Sequence, residues 1–156
     1  MVPDNARRVL TPFFPGLQWE GIQVHVGRLP ASQGLMVMLP RPLAAVTGHD
    51  TARTLQTVGV TIGEDIFLSP QHADEGTAAG LALLAHEVYH VEQGRRDPLF
   101  NVRYNEAAAF TPQDQPWQNP FELPAYLKER DVYCTLVARG LPRGRWTPLG
   151  VTLWGC

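Results

Sequence analysis

The feature that most constrains this chain is His86-Glu87-Val88-Tyr89-His90, set inside a helical run from about Gly76 to Gln93. Asp74 or Thr77 can cap the run, Gly94 supplies a stop, and Arg95 and Arg96 suit the negative end of the helix dipole. Residues four apart on a helix lie one turn above each other, so both imidazoles project to one side. Leu81, Leu84, Val88 and Val91 form an apolar stripe beside them, and Ala79 and Leu83 share the histidines' own face. Two imidazoles and a carboxylate next to a core stripe are costly without a partner. The fold must therefore bring something to this face.

A divalent metal is the partner these residue types suit. His86 and His90 can grip one Zn²⁺, while Glu87, about 100° further round the axis, can reach a metal-bound water without ligating the metal. Zinc acidifies such a water, and a carboxylate in that position removes its proton and passes it on. The third ligand is open at this point. A longer HExxHxxGxxH pattern would need Gly at position 93 and His at 96, where this chain has Gln93 and Arg96. A carboxylate from a later helix is the alternative, with Glu106, Glu122, Glu129 and Asp131 as candidates.

The rest of the chain predicts an α+β single domain over residues 1–156, with strands before about Asp74 and helices after it. Residues 3–14 suit a short helix capped by Asp4. Ile22, Val24 and Val26 alternate with polar residues as in a half-buried strand, and Leu35–Leu39 is a short apolar run before Pro40 and Pro42. Val58, Val60 and Ile62, the Gly63-Glu64-Asp65 turn and Ile66-Phe67-Leu68 read as a hairpin. Further helices are expected over 98–110 and from near Asn119 or Pro124 to Arg139; the last sixteen residues show no clear period. The architecture expected is a small, mostly antiparallel sheet packed on the motif helix, with a second helix bringing the third ligand.

A net charge of −2 offers no field for phosphate backbones, so nucleic acid is not expected as a partner. No uncharged apolar run approaches the roughly 18 residues of a membrane span, and Met1–Arg8 shows no secretory signal. The expectation is a cytoplasmic protein, with any export by a specialised route. Cys134 and Cys156 have no metal-binding spacing and are expected to be free thiols.

The segment Leu83-Leu84-Ala85-His86-Glu87-Val88-Tyr89-His90-Val91-Glu92-Gln93 with Arg95-Arg96 resembles the metallopeptidase-like domain associated with extracellular contractile injection systems. Three other pieces fit in order: Phe13–Leu17 with Ile22–His25, Gly63–Pro70, and Asn119-Pro120-Phe121-Glu122 with Ala125-Tyr126. The resemblance implies a zincin-like fold, Glu122 as third zinc ligand, and association with injection or toxin machinery. Pro124 departs from the helix-friendly residue of the family pattern and leaves the start of this helix open.

The residues themselves add to this. Glu122, Ala125, Tyr126, Glu129, Tyr133 and Leu136 share one side of the following helix, so a carboxylate there faces inward and needs a cation. Glu129, two turns on, suits a partner of a ligand histidine. Among Tyr89, Tyr104, Tyr126 and Tyr133, Tyr126 is the best placed oxyanion donor, one turn after Glu122. The strand Asp65–Ser69, just before the motif helix, is a candidate edge for binding an extended peptide. The expectation is a zinc metallopeptidase acting on a peptide or protein; the alternative is a catalytically silent zinc domain serving as an adaptor or delivery module.

Overall fold

The computed structural model describes residues 1–29 and 58–156. The apolar run at 35–39, the prolines after it and His49 lie outside these. The described chain folds as an α+β domain built around one central helix. An N-terminal helix α1, Asp4–Leu10, continues into a 3₁₀ turn at Thr11–Phe13. Strand β1 spans Gln23–Val26, and β2, Gly59–Ile62, and β3, Asp65–Leu68, form the expected hairpin around Gly63, whose φ of 63° the turn requires. Helices α2, Ala78–Arg96, α3, Phe100–Phe110, α4, Glu122–Ala138, and α5, Leu149–Trp154, complete the domain.

The sheet order is β1-β3-β2, with β1 parallel to β3 and β2 antiparallel to it. The sheet is thus mixed, one pairing of each kind, where a mostly antiparallel one was expected. It also places β3 in the middle. The candidate peptide edge at Asp65–Ser69 is consumed by pairing on both sides, and β2 is the outer strand that borders α2 among the described residues.

Helix α2 is buried on almost every side from Ala78 to Val88. Its stripe of Leu81, Leu84, Val88 and Val91 packs with Leu10, Phe14, Ile22, Ile66, Val132 and Leu136 into one core. Thr77 caps its start by accepting from the Gly80 backbone N–H at 3.2 Å. The end differs from expectation, since the helix runs through Gly94 to Arg96 and stops at Asp97, before Pro98. Gly94 lies beside α3, where a Cβ would stand 3.6 Å from the Phe100 ring, an ordinary contact. Arg95 does not finish the helix end either. Its guanidinium pairs with Glu64 at 2.7 Å and donates to the carbonyls of Gln18 and Glu20, tying the approach to β1 onto α2.

Pro124 fits without a kink because α4 begins at Glu122, which puts the proline in the first turn, where no intrahelical N–H bond is lost. The buried Asn119 sets that start: its side chain accepts from Phe121 N–H at 2.9 Å, and its carbonyl accepts from the Glu122 and Leu123 N–H groups. Asn119 therefore does the turning, and the Glu122 side chain is left free for the interior.

Helix α5 had no sequence signal. It docks on α4 through Gly150, where a Cβ would lie 2.2 Å from the Tyr126 carbonyl oxygen, so only glycine allows the approach. The expectation of free thiols is overturned: Cys134 of α4 and Cys156 form a disulfide, with Cα atoms 5.5 Å apart. No helix among the described residues is long and apolar enough to cross a membrane.

Candidate metal centre

Three buried side chains converge between α2 and α4. The Nε2 atoms of His86 and His90 lie 3.1 Å apart, Glu122 Oε2 is 3.1 Å from His86 Nε2, and Glu122 Oε1 is 3.5 Å from His90 Nε2. Tetrahedral ligands at ~2.0–2.1 Å from a zinc ion stand about 3.3 Å apart, and these separations bracket that value. Glu122 Oε2 is buried without a hydrogen-bond donor among the described residues. A nitrogen, nitrogen, oxygen set with an orphaned carboxylate oxygen fits a small divalent cation. The other candidate ligands separate cleanly, since Glu106 and Asp131 are exposed.

The electrostatics of the triad are those of a proton standing where a metal would sit. Burial alone would lower the His86 pKa, but Glu122 close beside it, with the charges of Glu87 and Glu129, outweighs it and raises the value to about 9. Burial would raise Glu122, yet the imidazoles of His86 and His90 close beside it hold it well below the usual carboxylate range.

Around the triad the structure adds groups the motif does not name. Gln93, one turn after His90, faces His90 Nδ1 with its Oε1 at 2.8 Å, and its Nε2 donates to the Phe121 carbonyl at 3.0 Å. The Tyr104 hydroxyl of α3 donates to Glu122 Oε1. Burial and the charge of Glu122 push the Tyr104 phenol upward, so it remains a donor. Tyr126 lies against His86, ring centroids 4.6 Å apart, and burial and the nearby carboxylates raise its phenol too.

Glu129 is buried as expected, but it accepts from the Gly150 N–H at 3.0 Å, while His86 Nδ1 has no hydrogen-bond partner among the described residues. Glu129 therefore acts on His86 through its charge. Its own pKa is raised, chiefly by burial, against the pull of His86 and Gly150.

Glu87 is buried but stands outside the triad. Its Oε2 accepts from the Thr61 hydroxyl of β2 at 2.7 Å, and that hydroxyl also lies 3.1 Å from the Glu87 carbonyl oxygen. Gly59 leaves the space for this carboxylate, since a Cβ there would sit 2.5 Å from Glu87 Oε1. Two other histidines and Arg96 lie elsewhere. His72 approaches the Ser69 hydroxyl at 3.2 Å and meets Trp146 edge-on, His25 pairs with Asp65 at 2.7 Å, and Arg96 pairs with Glu92 at 2.6 Å.

Gln93 carries a readable signal, because i and i+3 on a helix share a face. Thr61 and Gly59 carry none, since their position depends on how the hairpin seats on α2.

An α+β domain whose central helix presents two histidines and whose next long helix returns a glutamate brings together three side chains able to hold a metal ion. The eCIS core domain family matches residues 2–98, more than half of the chain, and the protein belongs to that family. The family ties the chain to extracellular contractile injection systems. The match covers α1 to the end of α2 and stops before α3 and α4, so Tyr104 and Glu122 lie beyond it. None of the curated proteins and none of the solved structures matches this chain.

Proposed function

We propose that the domain is a zinc-dependent peptidase working with an injection system, in which His86, His90 and Glu122 hold Zn²⁺ and Glu87 is the general base. The placement of Glu87 carries the reading. It follows a ligand directly on α2, is buried, and has its carboxylate oriented by Thr61 on the bordering strand and not by the triad. A structural zinc site has no use for such a group, whereas a catalytic one needs it.

Bound zinc would supply the Lewis acidity that makes water nucleophilic near neutral pH. Glu87 would accept the proton of the attacking water as its oxygen bonds to the peptide carbonyl carbon. It would then deliver that proton to the leaving amine as the C–N bond breaks. Tyr126, packed on His86, is the proposed oxyanion donor, because the Tyr104 hydroxyl is committed to Glu122. The substrate class is a peptide or protein. The Cys134–Cys156 bridge supports export by a specialised route from the cytoplasm, since disulfides persist in oxidising surroundings.

One observation favours a second reading. His86, Glu87, His90 and Glu122 are only 4–8% exposed, which suits a metal that clamps α2 to α4 in a catalytically silent adaptor. Casein or peptide-library hydrolysis by the zinc-loaded protein and by Glu87→Gln decides between them. The peptidase reading requires cleavage by the first and none by the second, with equal zinc content. Equal rates remove Glu87 as base, and no cleavage by either favours the adaptor.

A further inference from the structure

We infer that Gln93 is a positioning residue that fixes the tautomer of His90 and couples it to the start of the helix bearing Glu122. The inference rests on the proposed metal-ligand role of His86, His90 and Glu122, and the bonding pattern itself supplies the logic. The Phe121 carbonyl can only accept, so the Gln93 group facing it at 3.0 Å is the amide NH₂. That settles which way the amide points and turns its oxygen to His90 Nδ1 at 2.8 Å. An amide oxygen can only accept, so His90 Nδ1 carries the hydrogen. In the neutral ring Nε2 is then the nitrogen with a free lone pair, and it is the one that faces His86 and Glu122.

One side chain thus performs two tasks. It leaves the correct nitrogen of His90 available, and it anchors the carbonyl immediately before Glu122, which sets where the third ligand enters. His86 has no such helper: its Nδ1 is buried and unpartnered among the described residues. Groups that orient a ligand imidazole in this way typically change metal affinity by roughly 10–100-fold when removed.

The test uses the whole chain, with zinc affinity measured by chelator competition for wild type, Gln93→Met and Gln93→Glu. Methionine keeps the length and removes both hydrogen bonds, while glutamate keeps an acceptor for His90 and loses the donor to Phe121. Gln93→Met should bind zinc about 10–100-fold more weakly, with its metal-free circular dichroism unchanged, and Gln93→Glu should recover part of that loss. Zinc binding by Gln93→Met within about twofold of wild type, or equal loss in both variants, overturns the inference.

An arm independent of the variants is the nitrogen-15 spectrum of wild-type His90 in the metal-free protein. A proton on Nδ1 is expected, and the Nε2–H tautomer overturns the assignment. A wild type that binds no zinc defeats the proposed function while leaving this arm intact. A wild type that binds zinc but cleaves nothing defeats only the peptidase.

Discussion

The Thr61 hydroxyl stands 2.7 Å from Glu87 Oε2, so a buried carboxylate on α2 receives its hydrogen bond from the neighbouring strand and not from its own helix. Hydrogen bonds to charged groups contribute about 1.5–3 kcal/mol. Thr61→Val should therefore destabilise the fold by about that much in urea unfolding. In a Glu87→Leu background the cost should nearly vanish. An undiminished cost there would show that Thr61 acts through something other than Glu87.

Gly59 guards the other oxygen of the same carboxylate, with 2.5 Å between its would-be Cβ and Glu87 Oε1. Gly59→Ala should displace Glu87 while leaving His86, His90 and Glu122 in place. The expected phenotype is full zinc content with hydrolysis reduced at least about tenfold, the scale of general-base contributions being 10²–10⁴. Measured zinc loss parallel to activity loss would mean that Gly59 supports the helix as a whole.

The third ligand is tested by removal. Glu122→Ala should weaken zinc binding far more than Glu129→Ala or Glu106→Ala, since Glu122 alone of the three approaches both imidazoles. Chelator competition on the three variants reads this directly. The largest loss in either of the others would reassign the ligand.

The pH dependence follows from His86. Its raised value of about 9 means that the imidazolium–carboxylate pair with Glu122 stabilises the metal-free fold fully below the ordinary 6.5 and is lost as pH rises through about 9. Zinc must displace that proton. Zinc affinity should thus rise about tenfold per pH unit through neutrality and level off above about 9. A flat profile between pH 6 and about 8 would mean that His86 is already neutral there.

The disulfide closes a separation of 22 residues, for which the chain-entropy relation gives about 3 kcal/mol. Reduction, or Cys134→Ser, should lower stability by roughly that amount, read by denaturant unfolding with and without reductant. An unchanged midpoint would indicate a strained or redundant bridge.

How much of this was legible in the sequence depends on whether the controlling contact was local. The motif helix, the hairpin around Gly63 and the inward face shared by Glu122 and Glu129 were readable, because caps, period and helical face are properties of a few neighbouring residues; Glu122 was singled out by the family resemblance. The end of α2 lies beyond Gly94, at Asp97, whose extended backbone precedes Pro98. The central place of β3 and the parallel pairing of β1 rest on non-local registers that no single strand encodes. The Cys134–Cys156 bridge escaped for the same reason: it needs α5, a six-residue helix whose start at Pro148 shows no amphipathic period. Tyr104 ranked behind Tyr126 on sequence because only the packing of α3 aims its hydroxyl at Glu122.

Helix α4 carries Glu122 at its first residue and Cys134 near its last turn, so a metal held by the triad would fasten one end of a rod whose other end the disulfide fastens. The front fastener would answer to chelators and acid, the rear one to reductants. A sample handled with both chelator and thiol would lose both fasteners at once, and inactivity in such a sample would say nothing about the intact molecule.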